Sequence, residues 1–436
     1  MGCPHGGSSG SLSKYFRRDI LKTCLAAGGV ASLAACIEQE GTLNIPAGFE
    51  DLSAVPERQF AWNDYMALDL FENTTFPVHQ LILIFDYEGD FPPSTDDKDA
   101  VARTFDSLDI ALQRGNGGED PYSADGRVMP GLLYMFGYSH SYFDGFDEEL
   151  SHPFYSPEEL LERTGETDPI PDDFDAALVL TSDHVQVLLT VEMAILGNLD
   201  TINDVKMKGS FDGVFALSER RTGFVGPNVT NRKLENDDIP NRSPMAMGFV
   251  SGFADNQARE SRVSIDEGPF ENGSLLQISQ LELNLEEWYD LPHSDRIELM
   301  FSPDHTSEDV GEIGQLLSAD SGLTKEMEEA LDEHKRDGRV GHTQKLALSR
   351  DENFEPKILR RSEALSTGDP HPGMNFTSLQ RDLEDFVEVR NAMDADQFEE
   401  NVDIEENGIL NYHEVNRRAT FLVPPRSKIA LPSPGG

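Results

Sequence analysis

The chain has 436 residues, 38% of them hydrophobic, which is enough to build one large domain or two ordinary ones. It carries 80 Asp and Glu against 35 Lys and Arg, a formal net charge of -45 at pH 7. Such a field repels nucleic acid and anionic lipid headgroups, so neither is expected as a partner. Because the acids are spread along the whole chain, we interpret them as the surface of a halophilic protein, where salt screens their mutual repulsion.

Cysteine is confined to the start of the chain, at Cys3, Cys24 and Cys36. The rest of the chain therefore forms no disulfide and offers no thiolate to a metal. A metal bound there needs another ligand, and a nitrogen ligand is the natural candidate.

Residues 1–36 have the organisation of an export signal. Paired arginines, Arg17 and Arg18, precede an apolar stretch that closes in Leu-Ala-Ala-Cys36. This order is typical of a twin-arginine signal that ends in a lipobox, with Cys36 as the lipidated first residue. Residues 37–56 are interpreted as a tether. The protein is thus predicted to be exported and held on the extracellular side of the membrane through its lipid anchor only.

The first half of the mature chain is predicted to span residues 57–215. Its predicted elements are a strand over 78–85, a helix over 98–112, a strand over 131–138, a helix that starts at Ser156-Pro157 and ends at Gly165, a strand over 176–181 and a helix over 183–196. Residues from about 206 to 270 are rich in Gly, Asn, Pro and charge, and predict few elements.

The second half is predicted to span residues 216–427, followed by a tail over 428–436. Its predicted elements are strands over 274–283, 342–348, 373–379 and 421–423, and helices from Leu285 and over 381–393. The acidic, helix-prone segment over about 303–340 is interpreted as a solvated insertion. Two successive sets of strands and helices predict a duplicated α+β fold.

Three residues that are far apart in the sequence could carry chemistry together. They are Asp255 in Gly-Phe-Ala-Asp-Asn, His342 after a glycine, and Arg360 in Ile-Leu-Arg-Arg. A neutral imidazole can hold an iron, and a carboxylate with a guanidinium can act on a peroxide. Taken singly, the same residues are typical of a turn, a structural histidine and a surface ion pair.

Together with several short motifs in the same order, these residues resemble the dye-decolorising (DyP-type) haem peroxidase family over roughly residues 57–427. The other motifs are Pro56-Glu57-Arg58-Gln59, Gly137-Tyr138, Ser141-Tyr142-Phe143-Asp144, Leu379-Gln380-Arg381-Asp382-Leu383 and Phe421-Leu422-Val423-Pro424-Pro425. The resemblance implies two ferredoxin-like halves in a duplicated antiparallel-sheet α+β barrel, with haem b in the second half. With the leader and the acidic surface, it suggests an exported member from a halophilic archaeon.

The resemblance also implies a role for each site residue. His342 would be the proximal ligand of the haem iron, Asp255 the distal acid and base, and Arg360 the distal guanidinium. Arg360 follows His342 by 18 residues, as in the family. Asp403 would accept a hydrogen bond from His342. The implied activity is the oxidation of an unidentified small-molecule or dye-like reductant by hydrogen peroxide, through a ferryl intermediate.

One position departs from the family, which usually has Gly after the distal Asp, whereas Asn256 stands here. Asn is the residue best able to replace Gly at a positive φ, which would preserve the loop. The departure leaves open a second type of protein, a haem-binding or haem-delivery lipoprotein with little turnover.

Residues 403–414 also match a 12-residue EF-hand calcium loop, with acids at Asp403, Glu405 and Glu414 and an amide at Asn407. Calcium binding there would define a third type, a calcium-stabilised surface binding protein without haem. Asp403 cannot serve both calcium and the haem ligand. Homo-oligomerisation is left open by the sequence.

Overall fold

The computed structural model describes residues 55–112, 114, 131–226, 239–240, 243, 245–366, 372–394 and 401–436. The predicted export signal with Cys36, and the predicted tether up to residue 54, lie outside the described residues. None of the helices in the described part of the chain is both long enough and apolar enough to cross a lipid bilayer.

The first half is a four-stranded unit with helices between its strands. Its elements are β1 (His79–Tyr87), α1 (Thr95–Leu112), β2 (Leu133–Tyr138), α2 (His140–Asp144), α3 (Pro157–Thr164), β3 (Ala176–Ser182), α4 (Val185–Ile195) and β4 (Phe215–Phe224). Antiparallel pairing gives the strand order β4-β1-β3-β2. Strand β4 begins at the expected boundary between the halves and belongs to the first, so this half extends further than predicted.

Helix α3 shows how local sequence sets an element. The Ser156 side chain accepts a hydrogen bond from the backbone N–H of Glu159, and Pro157 occupies the first helical position. Gly165 ends the helix with φ 67°, a conformation that favours glycine. The predicted start and end of this helix are therefore confirmed.

The second half repeats the arrangement of the first. Its elements are β5 (Ser274–Leu283), α5 (Leu285–Asp290), α6 (His293–Met300), α7 (Ser307–Val310), α8 (Lys325–Asp337), α9 (His342–Lys345), β6 (Leu359–Ser366), β7 (Gly373–Gln380), α10 (Leu383–Ala392) and β8 (His413–Val423). The strand order is β8-β5-β7-β6. In both halves the first and third strands are central, which is the ferredoxin-like order.

The two sheets join into one barrel. Strand β4 pairs with β6 at Gly223 and Phe224, and β2 pairs with β8 at Tyr138. The barrel interior is filled by apolar side chains from both halves, including Ile82, Ile84, Leu133, Met135, Val179, Leu276, Ile278, Leu379, Ala419 and Phe421. The predicted α+β barrel of two ferredoxin-like halves is thus confirmed.

Short elements complete the described chain. The two-residue strands are Ala67–Leu68, Thr74–Thr75, Ile170–Pro171, Thr201–Ile202 and Val205–Lys206. The 3-10 turns are Asn63–Tyr65, Ala254–Asn256, Leu346–Ser349, Ile404–Glu406, Leu410–Tyr412 and Arg426–Lys428.

The strand predicted over 342–348 is wrong. Residues His342–Lys345 form helix α9, and a 3-10 turn follows. Gly341, the residue before this helix, lies against the backbone of Phe301. A Cβ at position 341 would be 2.0 Å from the Phe301 carbonyl oxygen. The polar residues Gln344 and Lys345 are fully buried. Burial here does not follow the hydrophobic alternation, and that alternation was the basis of the prediction.

Candidate functional site

A cavity lies on the outer face of the second sheet, beneath the segments that cover it. Its described lining residues all fall between Met245 and Arg418. The cavity has a volume of about 250 Å³. Most of the wall is apolar, with Met247, Phe249, Leu281, Leu283, Met300, Phe376, Phe386, Val389 and Met393 among its side chains.

A β-bulge in β6 turns two charged side chains toward this cavity. The pairing with β7 shifts between Arg360 and Ser362, so Arg361 is an extra residue in the strand. Because side chains alternate along a strand, residues 360 and 363 would otherwise lie on opposite faces. With the bulge, Arg360 and Glu363 both line the cavity.

Arg360 and Glu363 form an ion pair in the cavity wall. Arg360 Nη1 donates to Glu363 Oε1 over 2.6 Å and to Ser251 Oγ over 3.3 Å. The two charged side chains are only 16% and 13% exposed. Arg361 points the other way and donates from Nη2 to the Phe60 carbonyl at 2.7 Å. Of the two neighbouring arginines, Arg360, the predicted site residue, is thus the one that faces the cavity.

A second bulge acts in the same way in β8. The pairing with β5 shifts so that Asn416 is an extra residue. His413 and Val415 therefore lie on the same face as Arg418, and all three line the cavity.

His342, the first residue of α9, lines the cavity. Its side chain is partly buried. Burial lowers the pKa of His342 well below its usual value, and the charges of Lys345 and Arg360 and the neighbouring His413 lower it further. The imidazole is therefore neutral, as a metal ligand must be. No hydrogen bond joins its ring to any other described residue.

His413 is a second neutral imidazole in the wall, and it is not among the site residues predicted from the sequence. Its Nδ1 lies 2.8 Å from the Ile409 carbonyl oxygen. A carbonyl only accepts, so Nδ1 carries the hydrogen and Nε2 holds the lone pair. Burial lowers the pKa of His413 to about 4 despite this hydrogen bond. The sequence signal was weak, because His413 stands only as the first residue of an alternating strand.

An arginine pair closes another part of the wall. Arg418 and Arg390 line the cavity and both bind Glu166 of the first half, with Nη2 of Arg418 at 2.7 Å and Nε of Arg390 at 2.9 Å from Oε1. Burial alone would raise the pKa of Glu166, but the hydrogen bond and charge of Arg418, together with Arg390, lower it to about 2. This buried network ties the first half to the cavity.

The structure does not bring Asp255 to the cavity with His342 and Arg360. Asp255 is exposed and is not a lining residue, whereas its neighbour Asn256 is buried and lines the wall. Asn256 Nδ2 donates to Ser321 Oγ at 2.5 Å, and its Oδ1 accepts from Arg350 Nη2 at 2.6 Å. The predicted acid role of Asp255 therefore stays a prediction without geometric support.

The conformation expected for Asn256 is wrong. Asn256 lies in the 3-10 turn Ala254–Asn256 and does not adopt a positive φ. The positive φ of this motif falls on Gly252 instead, at 91°. Asn256 is held by its side-chain hydrogen bonds, so it is not a substitute for a left-handed glycine.

The ligands of the predicted calcium loop are dispersed. Asp403, Glu405 and Glu414 are exposed, and Asn407 is buried, where its Oδ1 accepts from Lys345. The segment forms two 3-10 turns and then enters β8, without an exiting helix. In the part of the chain that the structure describes, no three His, Cys, Asp or Glu side chains form a metal-binding group. Asp403 makes no hydrogen bond to His342.

Solved structures of DyP-type peroxidases share this fold. A putative DyP-type peroxidase from Shewanella oneidensis has 16% identity and a TM-score of 0.50, with 84% of this chain and 98% of that chain covered. The encapsulated DyP-type peroxidase from Mycobacterium smegmatis has 15% identity and a TM-score of 0.50, covering 83% and 97%. A haem-bound DypB variant from Rhodococcus jostii RHA1 has 15% identity and a TM-score of 0.50, covering 82% and 96%. The chain therefore has the fold of DyP-type peroxidases.

By sequence, the chain belongs to a family of unknown function (DUF7405), whose model matches residues 77–425. A comparison with curated protein sequences yields no match.

Proposed function

We propose that the protein binds haem b in the cavity of its second half and acts as a DyP-type peroxidase, an oxidoreductase that uses hydrogen peroxide. One observation carries this proposal. A neutral imidazole, His342, and a guanidinium, Arg360, face the same apolar cavity. The fold shared with DyP-type peroxidases supports it.

The residues of the cavity fit a haem. A porphyrin needs apolar walls for its faces, a nitrogen ligand for its iron and cations for its propionates. The Met, Phe and Leu side chains of the wall supply the first, and His342 the second. Arg350, Arg390 and Arg418, which also line the cavity, supply the positive charge.

Bound haem would supply the redox chemistry by which peroxide oxidises a second substrate. The chain provides the surroundings for that chemistry. The guanidinium of Arg360 stabilises negative charge on a peroxide that has lost a proton. The apolar wall excludes water and so strengthens this attraction. The reductant is proposed to be a small molecule or dye.

Haem binding with little turnover is a second candidate function. It is favoured by one observation, namely that Asp255 is exposed and does not line the cavity. A protein of this type would store or deliver haem.

Spectroscopy of the full chain, purified with haem, tests both candidates. A peroxidase shows a Soret band, a spectral change on addition of hydrogen peroxide, and peroxide-dependent oxidation of a dye. We expect Arg360→Leu to slow the reaction with peroxide while haem stays bound. The matched control is Arg259→Leu, because Arg259 is 78% exposed. A Soret band without any peroxide reaction would favour haem storage, and a colourless protein would exclude both.

We further propose that the protein is exported by the twin-arginine route and lipid-anchored at Cys36 on the outer cell surface of a halophilic archaeon. The paired arginines, the Leu-Ala-Ala-Cys36 lipobox and the net charge of -45 support this.

A further inference from the structure

We propose that Glu363, rather than Asp255, accepts the proton that hydrogen peroxide loses in the cavity. This inference rests on the proposed peroxidase function and deepens it.

The wall of the cavity contains a single carboxylate among its described lining residues, and that carboxylate is Glu363. Its side chain is 13% exposed and lies 2.6 Å from Arg360. Asp255 is exposed and lines no part of the described wall. A proton acceptor must come within hydrogen-bond reach of the proton it takes, so position favours Glu363.

The bulge at Arg361 is what makes this arrangement. Without the extra residue, Arg360 and Glu363 would face opposite sides of β6, and the carboxylate would point into the barrel. Bulges are over-represented next to active sites, where they re-aim side chains. The same strand thus presents a proton acceptor and an anion stabiliser in contact.

The proton transfer conserves charge inside the cavity. Hydrogen peroxide gives one proton to a carboxylate oxygen of Glu363, which leaves a hydroperoxide anion and a neutral carboxylic acid. Protonation removes the counter-ion of Arg360, so its guanidinium is released to pair with the new anion. The negative charge moves from one partner of Arg360 to another, and no unpaired charge is created in an apolar site.

The other charged groups of the described wall are less suited to this step. Arg350, Lys357, Arg390 and Arg418 are cations, and they are engaged with Asn256, Glu388 and Glu166. The remaining bases are the two imidazoles. Burial and nearby positive charges oppose protonation of both. His413 is the rival that an experiment must separate from Glu363.

Cyanide binding to the ferric, haem-loaded full chain tests the assignment without turnover. Hydrogen cyanide is a weak acid that must lose its proton to bind iron as an anion, so its association rate reports a base in the cavity. We expect Glu363→Gln to slow cyanide association by about 100-fold at neutral pH, the usual range for general base catalysis. Glu363→Asp should recover part of the rate. Asp255→Asn and His413→Asn should each slow cyanide association far less than Glu363→Gln does.

Imidazole association serves as the matched control, because imidazole binds iron through a lone pair and needs no deprotonation. Its rate should be unchanged in Glu363→Gln. The assignment would be overturned if Glu363→Gln bound cyanide as fast as the unmodified protein. It would also be overturned if Asp255→Asn or His413→Asn slowed cyanide association more than Glu363→Gln does. If Glu363→Gln loses haem, the comparison of Glu363→Asp with Asp255→Asn decides in the same way. Absence of a Soret band in the unmodified protein would instead refute the proposed function itself.

Discussion

Lys345 donates two hydrogen bonds to Asn407, from Nζ to Oδ1 at 2.8 Å and to the main-chain oxygen at 3.2 Å. A third hydrogen bond reaches the Met393 carbonyl at 3.1 Å. Lys345 is fully buried, and burial lowers its pKa to about 7. These bonds fasten α9, which begins with His342, to the segment that leads into His413. The two imidazoles of the cavity are therefore positioned by one buried lysine.

Removal of this contact should weaken both the fold and haem binding. We expect Asn407→Ala to lower the free energy of unfolding by about 2–3 kcal/mol, because it leaves the buried Lys345 without one acceptor. Denaturant unfolding and Soret absorbance measure the two effects. The control is Asn401→Ala, whose side chain is exposed. Equal stability of the two variants would show that Asn407 does not fasten the segment.

The two imidazoles can be separated by mutation. We expect His342→Ala to abolish haem retention, because His342 is the proposed iron ligand. His413→Ala should retain haem, with a shifted Soret band at most. Haem content after purification gives the answer. If His413→Ala lost haem and His342→Ala retained it, the iron ligand would be His413 instead. Its Nδ1 is bound to a carbonyl, as in many metal-binding histidines.

Stability of the haem-free protein should depend on pH through His413. Its pKa is about 4 in the folded protein and 6.5 in a model peptide. Between these values the unfolded chain binds a proton that the folded protein does not, so the free energy of unfolding falls as the pH drops from 6.5 toward 4. His413→Asn keeps a donor for Ile409 but cannot titrate.

In His413→Asn, the loss of stability between pH 7 and pH 4.5 should therefore shrink by a value on the order of 2 kcal/mol. Denaturant titrations at the two pH values measure it. Part of the loss should persist, because the pKa of His342 is lowered in the same direction. The control is His140→Asn, because His140 is half-exposed. This variant should keep the pH dependence of stability. An unchanged loss in His413→Asn would mean that His413 does not contribute.

The net charge of -45 should make stability depend on salt. Lowering KCl from about 1 M to about 0.1 M lengthens the screening distance from about 3 Å to about 10 Å, so the acidic surface repels itself more strongly. We expect Tm to fall by roughly 5–10 °C, which corresponds to a few kcal/mol for a protein of this size. A Tm that is insensitive to KCl would contradict the halophilic interpretation.

Much of the fold could be predicted from the sequence, because apolar periodicity and capping act locally. The strand over 274–283 is confirmed at both ends, and the predicted helix over 381–393 contains α10. Strand β4 was missed because its middle residues, such as Glu219 and Arg220, are charged and lie in a Gly-rich and Asn-rich stretch. Its ion pairs, including that of Arg220 with Glu192, are tertiary contacts that periodicity does not encode.

The site was predictable only in part. His342 and Arg360 could be found because their spacing matches a known family. Glu363 could not, because its orientation depends on a bulge, and a strict alternation from Arg360 would place it on the opposite face. His413 depends on a second bulge in the same way. The exposure of Asp255 follows from the 3-10 turn that buries Asn256, which a sequence motif does not reveal.

The alternation of side chains in the second sheet also assigns folding and cavity lining to different faces of the sheet. Ile278, Leu379 and Ala419 fill the barrel, while Leu281, Phe376 and Arg418 on the same strands face the cavity. Substitutions at Leu281 or Phe376 on the outer face therefore change the cavity wall without altering the apolar side chains inside the barrel. Redesign can accordingly alter the reactivity of this scaffold position by position while its folding determinants are retained.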